Sequence, residues 1–425
     1  MEYRSPGVYV EEVRSAVQAI AGVGTSTAGF IGVVPDTIEI PRPNPNYDPT
    51  QAISPQNVPD ETTPFAVTVK VGEVKLCTNF SDFKRFFGDF SNNTGQNLLA
   101  HAVYGFFNNG GTSCYVVRVV TDSDITVDFL EKTFEPIDDI AIVAAPGILN
   151  DAVRSAVVTH CAQTTQDRFA ILDSHEVVEA EGKTTSENMQ SFPDLNQFNP
   201  SITPNLLPQN SDYAAFYFPW IEVFDPVTRI RQPNGNGRKY VPPSGHIAGI
   251  YARVDSTRGV HKAPANEPIF GALGLKYNLS RSQQDRLNPQ GVNCIRDING
   301  NIRVWGARTV GGDRNGEFRY INVRRFLLFL RESIDEGTQF AVMEPNDPAL
   351  WAKITRNVTA FLMTVWRSGA LFGATPNEAF YVRCDETTNT QEDIELGRVI
   401  TEIGVAVVRP AEFVIFRLSQ TTPVS

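Results

Sequence analysis

The sequence predicts a multidomain α/β protein, on two observations. Between residues 140 and 223, short apolar strands are separated by a helix-length segment, the pattern of βαβ units and a mostly parallel sheet. After residue 318 the character changes: two long helical segments are followed by three strand-like ones, as in an α+β domain. At 425 residues the chain has room for two or three domains.

The elements follow in order. GVGTSTAGFIGVV (22–34) reads as a turn and a buried strand. The next stretch, to Pro64, is studded with proline and shows neither a helical nor an alternating period, so it is expected to be a long surface excursion. FAVTVKVGEVKLC (65–77) alternates like two strands around Gly72, and NFSDFKRFFG then opens a short helix on a capping asparagine. QNLLAHAVYGFF (96–107) has apolar residues at helical spacing, and NNGGTS ends it before the strand CYVVRVV (114–120). IAIVAAPG (140–147) is a strand, DAVRSAVVTHCAQ (151–163) a helix capped by Asn150 or Asp151, and RFAILDS (168–174) another strand. Residues 182–211 form a second polar loop, AAFYFPWIEV (214–223) returns to the sheet, and PPSGHIAGIYARVD (242–255) is helical.

In the last third, RYINVRRFLLFLRESIDEG (319–337) is helical up to Gly337. Behind an Asp347–Pro348 start, Trp351, Ile354, Val358, Phe361, Leu362, Val365 and Trp366 fall on one stripe of a long helix. Strands are expected at AFYVRCD (379–385), GRVITEIGVAVV (397–408) and EFVIFRLSQ (412–420).

Composition narrows the function classes. A formal net charge of −11 argues against general affinity for nucleic acid or anionic membrane. Glu2, Arg4, Glu11 and Glu12 interrupt any secretory leader pattern, and the apolar run Phe361–Trp366 is far short of a membrane span. Five dispersed cysteines without a CxxC pair read as reduced, buried thiols. A cytosolic product follows.

The enzyme motifs fail at the residue that does the chemistry. Gly22-x-Gly24 would need a third glycine where Thr27 stands, and Gly24-TSTA-Gly29 is followed by Phe30 instead of lysine. GTST and GTSC (111–114) echo the serine segment of subtilases, but both lead into strands and no Gly-x-Ser-x-Gly exists. The histidines have no metal-site spacing. Asp173 and His175 end a strand where α/β proteins often place active sites, without an identifiable third partner. From Arg296 to Arg331 eight arginines face three acids, a run that is usually salt-bridged and otherwise suits an acidic partner.

The two ends carry most information. EFVIFRLSQ is apolar on both faces, with Val414, Phe416 and Leu418 on one side and Phe413 and Ile415 on the other. Such a strand invites pairing if left as an edge, and GVYVEEV near the start poses the same problem. Either each end returns to its own sheet, or it completes the sheet of another copy.

Several segments together resemble the sheath proteins of contractile tails, those of phages and of phage-tail-like injection particles. They are YRSPGVYVEEV, AVYGFFNNGGTSCYVVRV (102–119), ARVDSTRGVHKAPAN (252–266), GVNCIRDINGNIRVWGARTV (291–310), FLRESIDEGTQFAVMEPNDPALWAKI (329–354) and RPAEFVIF (409–416). The resemblance implies an α+β inner domain of residues 279–425, joined by the N-terminal strand and packed around a tube. It implies an outer α/β portion, 21–278, similar to subtilases in topology without their catalytic residues, with variable loops at 36–64 and 180–240. Residues 1–20 and about 409–425 would be arms exchanging strands through Val8, Tyr9, Val10, Glu11, Val13, Phe413, Val414, Ile415, Phe416 and Leu418.

Function follows as an expectation from the same resemblance: a structural, non-enzymatic subunit that polymerises around an inner tube and contracts. Candidates for the tube contact are Arg319, Arg324, Arg325, Arg331, Lys353 and Arg356. Expected partners are further copies in a helical polymer of hexameric rings, the tube protein, and baseplate and terminator proteins. No cofactor, metal, nucleic acid or membrane insertion is expected. Assembly would take place in the producing bacterium's cytoplasm, and the product would join a phage tail or similar particle. The alternatives are a closed-ring tail component and, further off, a subtilase-like hydrolase.

Overall fold

A computed structural model describes residues 20–176, 207–413 and 415. It divides into two compact units, Met1–Val23 with Leu330–Val407, and Gly24–Phe329 with Val408–Ser425. The chain therefore crosses between units at 23/24, 329/330 and 407/408. The division lies well beyond residue 278, where the sequence suggested it, because strands at 292–304 join the large sheet of the second unit.

That sheet has nine strands. They come from β1 (Ala28–Val33), β4 (Lys75–Cys77), β5 (Cys114–Val119), β6 (Ile142–Ala144), β7 (Phe169–Asp173), β8 (Ala214–Phe218), β11 (Glu267–Pro268), β13 (Val292–Ile298) and β14 (Asn301–Val304), in the order β11-β14-β13-β8-β7-β6-β1-β5-β4. The six strands from β13 to β5 are parallel, with antiparallel strands at both edges. A parallel sheet needs both faces covered, and alternate residues divide accordingly. Phe30, Val116, Ile142, Phe169 and Tyr217 face one core, and Ile31, Val117, Val143, Ala170 and Phe216 the other.

The first face is covered by α1 (Phe80–Phe87), α2 (Thr94–Asn108) and α6 (Ser244–Arg258). Asn79 accepts a bond from the Asp82 amide and so caps α1, as its sequence predicts. Helices α2 and α6 meet closely because α6 carries glycine at the contact: a Cβ at Gly245 would strike the Ala102 backbone, and one at Gly249 the Phe106 carbonyl. The second face is covered by α3 (Val127–Thr133), α4 (Asp151–Thr159) and α7 (Arg281–Leu287), and α4 is capped by Asn150. A small second sheet joins β9 (Ile221–Phe224), β10 (Arg238–Val241) and β12 (Ala272–Leu275), with α5 (Pro226–Arg231) between the first two. The segment AAFYFPWIEV thus serves two sheets.

The proline-rich excursion is a β-ribbon. Strands β2 (Thr37–Pro43) and β3 (Asp60–Ala66) pair antiparallel along their whole length, which corrects the expectation of an irregular stretch. The register places Glu39, Pro41 and Pro43 opposite Pro64, Thr62 and Asp60. Proline has no N–H for the ladder, so these pairs occupy the positions whose backbone groups face outward. Glu39 fits this: its outward N–H and C=O are taken by the Asn93 side chain and the Asn92 amide.

In the first unit, α8 (Ile321–Thr338) runs through the 329/330 crossing, and α9 (Pro348–Arg367) follows. Asp347 accepts from the Leu350 amide with Pro348 at the first helical position. Trp351, Ile354, Val358, Phe361, Leu362 and Val365 of the predicted stripe are buried and Leu350 joins them, whereas Trp366 at the stripe's end is half-buried. After α10 (Pro376–Ala379), β15 (Phe380–Arg383) and β16 (Glu402–Val405) form a two-stranded antiparallel sheet, with α11 (Gln391–Glu395) between them. Gly337 is the seat of Ile20, since a Cβ there would lie 2.6 Å from its side chain.

Candidate functional site

Among the described residues, Asp173 and His175 are not joined into a catalytic constellation. Asp173 ends β7 and is buried, where desolvation pushes its pKa up to about 6. It accepts from the Ser244 amide at 2.9 Å, the Ser244 hydroxyl at 2.6 Å and the Gly147 amide at 3.2 Å. Pro243 precedes α6 and offers no capping side chain, so Asp173 caps that helix from across the fold. The serine hydroxyl is spent on a carboxylate with no imidazole between them, and the His175 Nε2 is buried without a hydrogen-bond partner. A nucleophilic serine needs an adjacent base to take its proton. All five cysteines are free and buried, and burial pushes the thiols of Cys77, Cys161 and Cys294 up to about 12. Among the described residues no cluster suits a metal ion, and no helix is long and apolar enough to cross a membrane.

The root of the C-terminal segment is firmly built. Glu412 accepts from Arg308 Nε at 2.8 Å and Nη2 at 2.9 Å, one on each carboxylate oxygen. Asn288 Nδ2 and the Tyr320 hydroxyl add bonds at 2.7 and 2.8 Å. Burial alone would raise the Glu412 pKa, but hydrogen bonds from Arg308, Asn288 and Tyr320 outweigh it and hold the carboxylate below its usual range. Immediately beyond this anchor the chain turns apolar side chains outward: Phe413 is 70% and Ile415 78% exposed. Val414, Phe416 and Leu418 lie outside the described residues, as do Val8, Tyr9, Val10, Glu11 and Val13.

The first unit offers an open strand edge. β15 pairs only with β16 among the described residues, and an isolated two-stranded sheet is marginal in water. Between β15 and α9 runs an open groove of about 1130 Å³, lined by Ala352, Thr355, Arg356, Thr359, Met363 and residues Tyr381 to Cys384. Nearby surfaces of this unit expose Met343 at 98% and Phe372 at 75%.

The six basic candidates separate by environment. Arg325 is buried in a bidentate pair with Asp255, at 2.7 and 3.0 Å, and lies over the Tyr251 ring. Arg324 pairs with Asp212 and is sandwiched against Tyr213 and Phe318. Arg319 pairs with Asp313 at 3.0 Å, and Lys353 lies over Phe340. Arg331 and Arg356 are exposed. Four of the eight arginines of the run, Arg308, Arg319, Arg324 and Arg325, are thus paired inside the second unit, with Glu412, Asp313, Asp212 and Asp255. The sequence hid this because three of the four acids, Glu412, Asp212 and Asp255, come from distant positions.

Known proteins match this chain over most of its length. Residues 119–310 match the family model of the phage tail sheath protein central domain, and residues 313–421 that of the phage tail sheath C-terminal domain. The tail sheath protein of Burkholderia phage BcepMu is 28% identical over 48% of this chain and 42% of its own length. That of Enterobacteria phage T4 is 22% identical over 41% of this chain and 26% of its own. The matched stretches therefore span less than half of these curated relatives. Two solved structures align over nearly the whole of both chains. The helical sheath of the anti-feeding prophage in its contracted state is 26% identical with a TM-score of 0.71, covering 99% of this chain and 100% of that one. The contracted sheath complex of the extracellular contractile injection system PVC is 27% identical with a TM-score of 0.69, covering 99% of each. A chain in the anti-feeding prophage baseplate is similar too, at 26% identity and a TM-score of 0.70 over 99% and 100%.

Proposed function

From the premise that this chain belongs to the phage tail sheath family, we propose that it is a structural sheath subunit acting through polymer shape. It assembles head to tail with further copies as a helical sleeve around an inner tube, and contraction of the sleeve drives the tube forward. A heterologous, non-closing interface is what generates a helix. The particle would be a phage tail or a phage-tail-like injection system, with baseplate and terminator proteins at its ends.

One observation carries the reading: apolar side chains at 413 and 415 are presented to solvent directly after the Glu412 anchor. Exposure of that size on a strand-forming sequence asks for a partner sheet. The free edge of β15, beside the groove along α9, is the acceptor we assign to a neighbouring copy's terminal strand. An arm contributing about five backbone hydrogen bonds adds roughly 0.5–1.5 kcal/mol for each, plus its apolar burial. Such tethers would let copies rotate and slide while remaining linked. The work would come from the difference in subunit contacts between extended and contracted lattices, with assembly on the tube trapping the less stable one.

The first unit with the N-terminal strand would be the inner, tube-facing domain, and the sheet of the second unit the outer portion, its subtilase-like topology retained without catalytic residues. Exposure favours Arg331 and Arg356 as tube contacts, with Lys353 and Arg319 behind them. Arg324 and Arg325 are committed to pairs within their own unit.

The test is truncation. Removal of residues 1–13, or of 414–425 so that Glu412 stays, is expected to give folded monomers that form no tubes in electron micrographs. Normal tubes from both truncations would overturn strand exchange. Discrete rings from the intact chain, with no tubes, would favour a closed-ring component instead.

A further inference from the structure

We propose that residues 308–325 form a grip that passes force between the terminal arms and the second unit, with Arg308, Asn322 and Arg325 as its positioning residues. This rests on the strand-exchange reading above. In a sleeve whose copies are linked through arms, every relative movement of two copies pulls on the arm roots. The exchanged strand resists only at its far end. The near end needs its own hold, or the tug would peel the chain away from the body it belongs to.

The C-terminal root is held from this one stretch, and so is the N-terminal segment where it enters the second unit, beyond the seat of Ile20 on Gly337. Where the chain re-enters the second unit at Val408, Asn322 Nδ2 donates to the Val408 carbonyl at 3.3 Å and to the His261 carbonyl at 2.7 Å. Four residues later Arg308 takes both oxygens of Glu412. At the N-terminal entry, Thr25 is the second residue after the 23/24 crossing. Arg325 Nη2 donates to the Thr25 carbonyl at 2.8 Å, while the Thr25 hydroxyl donates to Asp255 at 2.7 Å. Asp255 in turn holds Arg325 through both carboxylate oxygens. Asn322 and Arg325 are one turn apart on α8, so a single helix face serves both crossings.

The chemistry suits force and not mere placement. The side chains of Arg308 and Arg325 are only 4% and 3% exposed, so salt screens their pairs little. Paired guanidinium–carboxylate bonds share a pull between two atoms and fix its direction. Arg308 is backed by Asp313 at 3.1 Å and Arg325 by the Tyr251 ring, so neither arginine follows its partner outward. The arginine-rich run therefore has a use that needs no external acidic partner.

The experiment uses the full chain in its assembled particle. Glu412→Gln keeps the shape of the side chain but removes the charge and one acceptor oxygen: Asn288 and Arg308 Nε share one carboxylate oxygen, Tyr320 and Arg308 Nη2 the other, so the bidentate pair with Arg308 is lost. Particles carrying it are expected to assemble straight sleeves like the wild type and, when contraction is triggered with urea, to yield several-fold more broken sleeves in negative-stain images. A core variant such as Val116→Ala, chosen to match the melting temperature of the Glu412→Gln monomer, is expected to contract unbroken. Equal breakage of Glu412→Gln and wild type would overturn the grip, and so would equal breakage of the matched core variant. Should Glu412→Gln fail to assemble, Asn322→Ala repeats the measurement at the re-entry point, with the same outcomes deciding. If wild-type chains make no tubes at all, the sheath reading itself has failed, a result distinct from either.

Discussion

The two units handle apolar surface differently. The second buries most of its apolar residues in two cores, one on each face of a nine-stranded sheet, and closes its polar interior with buried pairs such as Arg325–Asp255, while exposing others such as Val120, Phe224, Phe413 and Ile415. The first is organised around one amphipathic helix and a two-stranded sheet, and leaves Phe372, Met343, Leu396 and Tyr381 substantially exposed. Apolar surface kept in water suits an assembly role, which the first unit would share with the Phe413–Ile415 end of the second. Substitutions should therefore act on folding in one unit and on polymer formation in the other.

The largest expected effect is on the buried ion pair. Asp255→Ala leaves Arg325 uncompensated in the second unit and should cost about 3–5 kcal/mol, read as a lower urea midpoint of the monomer. Next, Gly245→Ala forces a methyl into the Ala102 backbone where α2 and α6 touch, and should cost about 1–3 kcal/mol by the same measurement. A stability near wild type in both variants would remove the contrast between the units.

Acid should separate them as well. Burial holds His101, His160 and His246 below the usual histidine value, His160 at about 4 and His246 at about 3. Their contribution is complete above the unfolded value of 6.5 and declines as pH falls towards the folded values, because the unfolded chain takes up protons first. Asp173 runs the other way: with a folded value of about 6, its contribution is full below 3.8 and is lost as pH rises to 6. It offsets part of the trend. All five histidines lie between residues 101 and 261, within the second unit. Hydrogen exchange between pH 7 and 4.5 should therefore show protection lost in α2 and α6 before α9. The smallest effect on the monomer is expected from Met343→Ser with Phe372→Ser, within about 0.5 kcal/mol, yet tube formation should fall sharply. An unchanged yield of tubes would sink the assembly role of that surface.

What the sequence disclosed, and what it withheld, follows the same divide between local and distant causes. Helix starts were legible because a cap is a local event: Asn79, Asn150 and the Asp347–Pro348 pair each act within a few residues. The parallel sheet was legible because its strands are short, fully apolar runs. The ribbon of β2 and β3 was not, since proline suppresses the strand signal unless one knows that it stands in the outward-facing register. The limit of the second unit was hidden by β13, whose partner β8 lies some seventy residues earlier. The arginine run was visible, but its use was not. Glu412 meets Arg308, and Asp255 meets Arg325, only after the fold has closed. Resemblance to a family supplied the functional expectation; the residues we propose as arm roots came from geometry.

The prolines of the ribbon have a bearing on life in a crowd. A sleeve brings many identical copies within touching distance, and a projecting hairpin with a bare hydrogen-bonding rim would stick to its twin in whatever orientation they first met. Along β2 that rim is thinned: Pro41 and Pro43 remove its donors, leaving only their carbonyls, and two asparagines occupy Glu39. The ribbon can thus vary at its tip without gluing the lattice together, which makes residues 51–54 a natural place to splice in a foreign epitope.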